Sequence, residues 1–212
     1  MTTNDYVLQD GQTVVMIGDS ITDVGRRDTC APLGDGYVRM ISGLSAARHP
    51  NQQIRFLNMG VSGDTVRHLQ ARWNQDVLAQ RPDWLSIAIG INDVWRQLDG
   101  LEPGVPIDEF AATYRQLLET TRGKLGGCGL ILMTTSVMQE DPASQGNQML
   151  KPYNAAIEQL ANDFDAFCVP INMVFNAAIR TGGQRQWTTD GVHPNNDGHT
   201  LMALTWLATL GW

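Results

Sequence analysis

The 212 residues contain no cluster of lysine or arginine, and the formal net charge is −7. A phosphate backbone therefore finds no electrostatic footprint, so nucleic acid is not an expected partner, and an anionic surface also disfavours acidic lipid. No apolar run approaches the ~18 residues that a membrane-spanning helix requires, so no membrane partner is expected either. The opening stretch MTTNDYVLQDGQ has neither the cationic start nor the apolar run of ~7 to 15 residues of a secretory signal, and a cytoplasmic location is the expectation. Cysteine is scarce: Cys30, Cys128 and Cys168 are widely spaced and form no CxxC pair, so neither zinc nor redox chemistry is indicated and no metal site is expected. Cys128 and Cys168 lie in apolar runs and read as plain buried thiols. Internal repeats, low-complexity tracts and linkers are absent as well.

What is present is a globular composition, 42% hydrophobic and 17% charged, of a length that suits one domain spanning residues 1–212. Short apolar runs rich in β-formers alternate with longer segments of helical period, the pattern of βαβ units and a parallel sheet. The strands are expected at 13–17, 53–58, 84–89, 130–134 and 167–171, and their near-continuous hydrophobicity implies burial on both faces of an α/β fold. Helices are expected at 37–48, 65–80, 107–124, 149–163 and 195–210. Val66, Leu69, Trp73, Val77 and Leu78 recur at helical spacing in the second of these, and Pro82 stops it. The remaining long segments, 22–35, 94–106 and 135–147, are expected to be loops over the sheet edge, where α/β folds place their sites.

Four polar motifs fall just after strands or just before the last helix. Gly18-Asp19-Ser20 delivers a serine to the sheet edge on a tight turn. A serine there is equally a helix cap or turn residue, and its hydroxyl becomes a nucleophile only if a base takes its proton and a third group holds that base. His193 in Asp190-Gly191-Val192-His193-Pro194 meets this need, because a carboxylate three residues away can accept the Nδ1 proton and leave Nε2 for a serine. The competing reading is a loop histidine beside a capping aspartate. For His49, His68 and His199, structural or solvent roles suffice. Acyl transfer also needs donors for the developing oxyanion. Asn58 to Thr65, with its glycines, offers a backbone amide, and Gly90-Ile91-Asn92-Asp93 offers the Asn92 side chain. Both segments also read as turns with helix caps, and capping is compatible with catalysis.

GDSIT at 18–22, GVSGDT at 60–65, GIND at 90–93 and DGVHP at 190–194 resemble, in this order, the four blocks of the SGNH, or GDSL, hydrolases. The match covers nearly the whole chain, and the absence of a GxSxG elbow separates it from the ordinary α/β-hydrolases. The resemblance implies a flavodoxin-like three-layer α/β/α sandwich with a five-stranded parallel sheet. It makes Ser20 the nucleophile, His193 the base and Asp190 its orienting acid, with the oxyanion held by the amides of Ser20 and Gly63 and the side chain of Asn92. Asp19 then reads as a structural acid that shapes the turn at the substrate site. No cofactor is implied.

More narrowly, GYV at 36–38, residues 71–99 and the neighbourhood of DGVHP are similar to the intracellular acetyl-xylan esterases, which are oligomeric and deacetylate xylo-oligosaccharides. The implied partners are an acetylated sugar and further copies of the chain. GINDVWR would carry Trp95 and Arg96 into the mouth of the pocket, Trp187 is a candidate for its rim, and Trp206 and Trp212 are candidates for subunit contacts. Trp73 and Trp84 follow helix and strand periodicity and need no ligand. Two rivals stay open: a lipase, lysophospholipase or thioesterase for longer acyl chains, and a carbohydrate-binding protein that kept the fold without catalysis.

Overall fold

Strands form where the apolar runs stand: β1 (Thr13–Gly18), β2 (Arg55–Gly60), β3 (Trp84–Ala88), β4 (Gly129–Met133) and β5 (Phe167–Val169). They belong to a computed structural model that describes residues 6–100 and 103–212. All pairings are parallel, in the order β2-β1-β3-β4-β5. Val14, Val15, Met16 and Ile17 of β1 are all fully buried, as a strand covered on both faces requires. Each such side chain contributes about 1.5–3 kcal/mol of transfer free energy.

The helices are α1 (Ser20–Asp23), α2 (Tyr37–Arg48), α3 (Val66–Asp76), α4 (Ile91–Asp99), α5 (Ile107–Lys124), α6 (Gln145–Asp163), α7 (Ile171–Thr181) and α8 (Asn196–Thr209). One layer packs α2 and α7 against α8; the other packs α3 and α6 against α5, with the sheet between. Trp206 of α8 is fully buried and donates its indole N–H to Ser86 Oγ of β3 at 3.0 Å, which ties the first layer to the central strands. That burial leaves Trp206 no surface for a subunit contact. Trp212 is partly buried under the guanidinium of Arg48, 4.6 Å from the ring centroid.

Three expectations are corrected. Residues 94–99 are not loop but the body of α4, in which Ile91, Val94, Trp95 and Leu98 recur at helical spacing and Gly100 ends the helix at φ +65°; 101 and 102 lie outside the described residues. Residues 171–181 form α7, although the fifth strand was expected to reach 171 and no helix was expected beyond it. Pro170 cannot donate to a strand ladder, and Ile171 and Phe175 face the core one turn apart. The second helix is shorter than 65–80, ending at Asp76 and followed by one 3-10 turn, Leu78–Gln80.

Strand order reverses at β1, since the chain leaves it for β2 on one side and reaches β3 on the other. In doubly wound sheets the crevice at such a switch point, outside the carboxyl ends of the strands, is where ligands sit. Gly18 at the end of β1 is level with Gly60 of β2 and Ala88 of β3, so the segments after all three strands emerge together.

Candidate active site

Directly after β1, Asp19 caps α1 by accepting the Ile21 N–H at 3.0 Å, and Ser20 becomes the first helical residue. A first-turn N–H has no partner within its own helix, so the Ser20 amide points outward from the turn. Only glycine fits at position 18: a Cβ there would lie 2.3 Å from Thr22 Oγ1 and 2.4 Å from the Ala88 carbonyl oxygen. Asp19 itself is 3% exposed. Burial pushes its carboxyl up to about 7, reinforced by the nearby Asp93 and Asp64 and opposed by the Ile21 N–H.

The histidine of the fourth motif arrives from the far end of the chain. Asp190 accepts the Val192 and His193 amides on Oδ1, at 3.0 and 2.8 Å, while its Oδ2 faces His193 Nδ1 at 2.7 Å. His193 Nε2 lies 2.9 Å from Ser20 Oγ, so residues 173 positions apart share one hydrogen bond. Desolvation raises the Asp190 carboxyl, but the His193 and Val192 amides and the imidazole outweigh it and hold the group at about 2. An ionised Asp190 selects the Nδ1–H tautomer and turns the Nε2 lone pair toward the serine.

The third component lies beyond β2 and β3. Gly63 has φ +84°, and the Arg96 guanidinium donates to its carbonyl oxygen, which fixes the orientation of the adjoining peptide. Asn92, second residue of α4, is 7% exposed and donates from Nδ2 to the Asp64 carbonyl at 3.0 Å. A carboxamide carries two N–H groups, so this bond still leaves a donor. Asp93 accepts the Val66 N–H at 3.0 Å, joining the start of α3 to α4, and burial pushes its carboxyl up to about 7. Arg72 ties the same end together: it donates to Asp64 at 2.7 Å, Asp76 at 2.6 Å, Met59 O at 2.7 Å and Gly18 O at 3.1 Å.

A cleft of about 390 Å³ opens beside the histidine, between Trp95 and Leu98 of α4, Met138 and Gln139 of the loop after β4, and Asp190 and Val192. Trp95 meets the His193 ring edge-on, with centroids 6.0 Å apart. The other expected substrate contacts do not line this cleft. Asp19 borders a small cavity of about 20 Å³ behind the serine turn. Arg96 is engaged with Gly63, and the Trp187 indole packs toward Gly182, its N–H buried without a partner among the described residues.

Sequence reasoning passed over Glu140, whose Oε1 accepts three hydrogen bonds, all at 2.7 Å, from Trp187 N, Thr188 N and Thr188 Oγ1. It also passed over Asn147, whose Nδ2 donates to three carbonyls of the same loop. No local signal marks either, since each acts on backbone brought near only by folding. Among the described residues, no cluster of three metal-ligating side chains occurs and no helix is long and apolar enough to cross a membrane.

Residues 16–201 match the GDSL-like lipase/acylhydrolase family. An acetylxylan esterase of Geobacillus stearothermophilus is 39% identical over 210 residues, 95% of each chain. The crystal structure of Axe2, an acetylxylan esterase from the same organism, superposes with a TM-score of 0.88 at 39% identity, covering 96% of both chains. Catalytic mutants of Axe2 that replace an aspartate, a histidine or a serine by alanine superpose with TM-scores of 0.88, 0.87 and 0.88 at 37–38% identity, covering 97% of this chain and 96% of theirs. Thioesterase 1/protease 1/lysophospholipase L1 of Escherichia coli K12 is 29% identical over 72% of this chain and 64% of its own length.

Proposed function

Because the chain belongs to the GDSL-like lipase/acylhydrolase family, we propose that it is an acetylesterase acting on acetylated xylo-oligosaccharides through Ser20, His193 and Asp190. The observation that carries this reading is the unbroken relay from Asp190 Oδ2 through the imidazole to Ser20 Oγ, with contacts of 2.7 and 2.9 Å. His193 Nε2 takes the Ser20 proton as Oγ attacks the ester carbonyl. The oxyanion is met by the N–H groups of Ser20 and Gly63 and the Asn92 side chain. His193 returns the proton to the departing sugar oxygen, the C–O bond breaks, and an acetyl-serine remains. Water then repeats the sequence, releasing acetate and restoring Ser20. Asp190, held at about 2, stays ionised through the working range and stabilises the imidazolium.

The sugar enters through the likeness to the acetylxylan esterase, at 39% identity over nearly the full length. Two features of the cleft support it: polar Gln139 and Gln145 can bond hydroxyls, and the Trp95 indole can pack on a pyranose face. On this reading the whole chain works as one domain in the cytoplasm, with no cofactor, as a homo-oligomer. One observation favours a second reading, hydrolysis of longer acyl chains: Leu98, Met138 and Val192 give the cleft an apolar wall. Acetate release from acetylated xylo-oligosaccharides, measured beside p-nitrophenyl esters of increasing chain length, separates the two. Preference for acetate supports the sugar esterase, and preference for eight or more carbons overturns it. A serine-directed phosphonate should label Ser20, and label elsewhere removes the nucleophile assignment.

A further inference from the structure

The loop that carries Asp190 and His193 is closed mainly on itself. Thr188 and Pro194 form an isolated antiparallel bridge, Thr189 N donates to His193 O at 2.8 Å, and Asn195 N donates to Trp187 O at 3.0 Å. The Asp190 and His193 side chains are 49% and 36% exposed, while Thr188, Val192 and Pro194 of the same loop are buried, so packing anchors the loop's frame and leaves the aim of the two catalytic side chains to hydrogen bonds. Its backbone hydrogen bonds to other segments run to the loop after β4. Gln139 N donates to Gly191 O at 2.6 Å, and Glu140 Oε1 accepts Trp187 N, Thr188 N and Thr188 Oγ1.

The loop after β4 is itself a fixed platform. The Asn147 side chain accepts Met138 N at 2.9 Å and donates to the carbonyls of Met138, Gln139 and Asp141. Gln139 is held at φ +63°, a conformation that a non-glycine residue keeps only where its surroundings enforce it. Glu140 thus projects a half-buried carboxylate from a rigid base, and bonds to an ionised acceptor are about twice as strong as neutral ones.

We propose that Glu140 is a positioning residue for the proposed reaction: its triple hydrogen bond sets the 187–193 loop so that His193 Nε2 meets Ser20 Oγ. Glu140 touches neither the nucleophile nor the cleft, and its role rests on the assignment of His193 as the base. Misplacement of a reacting group by ~1 Å costs roughly 100-fold in rate, so Glu140→Ala lowers kcat by about 10- to 100-fold. KM stays within about 3-fold because the cleft residues are untouched. Glu140→Gln, whose amide oxygen still accepts the same donors, recovers to within about 5-fold of the parent. Thr188→Val removes one of the three bonds at constant volume and lowers kcat by a few-fold, a smaller test if Glu140→Ala does not fold.

The decisive comparison is between leaving groups. A sugar alkoxide needs His193 as proton donor far more than p-nitrophenolate does, so the loss in Glu140→Ala is larger on acetylated xylo-oligosaccharide than on p-nitrophenyl acetate. Equal losses on both esters, a change in KM alone, or a Thr188→Val protein with unchanged kcat would overturn the proposal. Ser20→Ala and His193→Ala are assayed alongside. If both are inactive while Glu140→Ala is fully active, only the role of Glu140 falls. If either stays active, the triad reading itself falls.

Discussion

Asp19 and Asn92, on either side of the nucleophile turn, are 3% and 7% exposed, whereas the side chains of Asp190 and His193 are 49% and 36% exposed. The serine and oxyanion half grows from the ends of the neighbouring strands β2, β1 and β3 and is held by burial, by Arg72 and by Asp93. The histidine half rides on a surface loop whose Thr188, Val192 and Pro194 are buried but whose two catalytic side chains are aimed by hydrogen bonds. One half is therefore enclosed by packing, while the other presents its reacting side chains from the rim of the core.

The largest effects are expected at the point where the two halves meet. Ser20→Ala or His193→Ala should lower kcat by about four orders of magnitude or more, with little change in melting temperature, measured as acetate release from the purified variants. A variant retaining a tenth of the parent rate would mean that the 2.9 Å contact is not the reaction coordinate. Next in size, Asn92→Ala should cost about 100- to 1000-fold in kcat, as loss of one oxyanion donor does elsewhere.

Arg72→Ala sharpens the contrast in stability rather than rate. Arg72 and Asp64 are 17% and 9% exposed, so removing the guanidinium strands a largely buried carboxylate, which costs about 3–5 kcal/mol. Chemical denaturation should show this loss. Arg185→Ala, at an ion pair 59% and 49% exposed, should cost under about 1 kcal/mol. Equal losses would contradict the division into a buried and an exposed half.

A further expected effect is one of pH. The folded-state value of Asp19 is raised to about 7 from the ordinary carboxylate range near 4, so the native state holds this proton more tightly than the unfolded chain does. Its contribution to stability is present in full below about pH 4 and is lost as pH rises through 7. Asp19→Asn should reduce the dependence of the denaturation midpoint between pH 4 and 8, leaving the part due to Asp93, and an unchanged slope would place the titrating group elsewhere. Asp190 has the opposite sign: depressed to about 2, it stabilises the native state above the unfolded range and ceases to do so only as pH falls toward 2.

Much of this was legible in the linear chain, and the exceptions are instructive. Five strands were readable because strands buried on both faces must be continuously apolar, as TVVMI is. The four motifs were readable because a turn after a strand needs glycine and because Asp190 and His193 lie close enough to pair locally. Helix α7 is masked because its first residue, Ile171, continues the apolar run of the fifth strand, and α4 because its helical part is too short to show a clear period within 94–106. Glu140 could not be read at all, since a lone glutamate in a polar loop carries no mark of the amides it will meet.

Local physics alone determined the alternation of strand and helix and the pairing of a histidine with an aspartate three residues away, because periodicity, turn chemistry and short-range hydrogen bonds act between near neighbours. Only the folded chain decided that β1 lies between β2 and β3, that His193 crosses 173 residues to reach Ser20, and that Arg72 and Glu140 brace the two halves. Those contacts join segments whose separation along the chain gives them no shared pattern, and only the packing of sheet and helices brings them together.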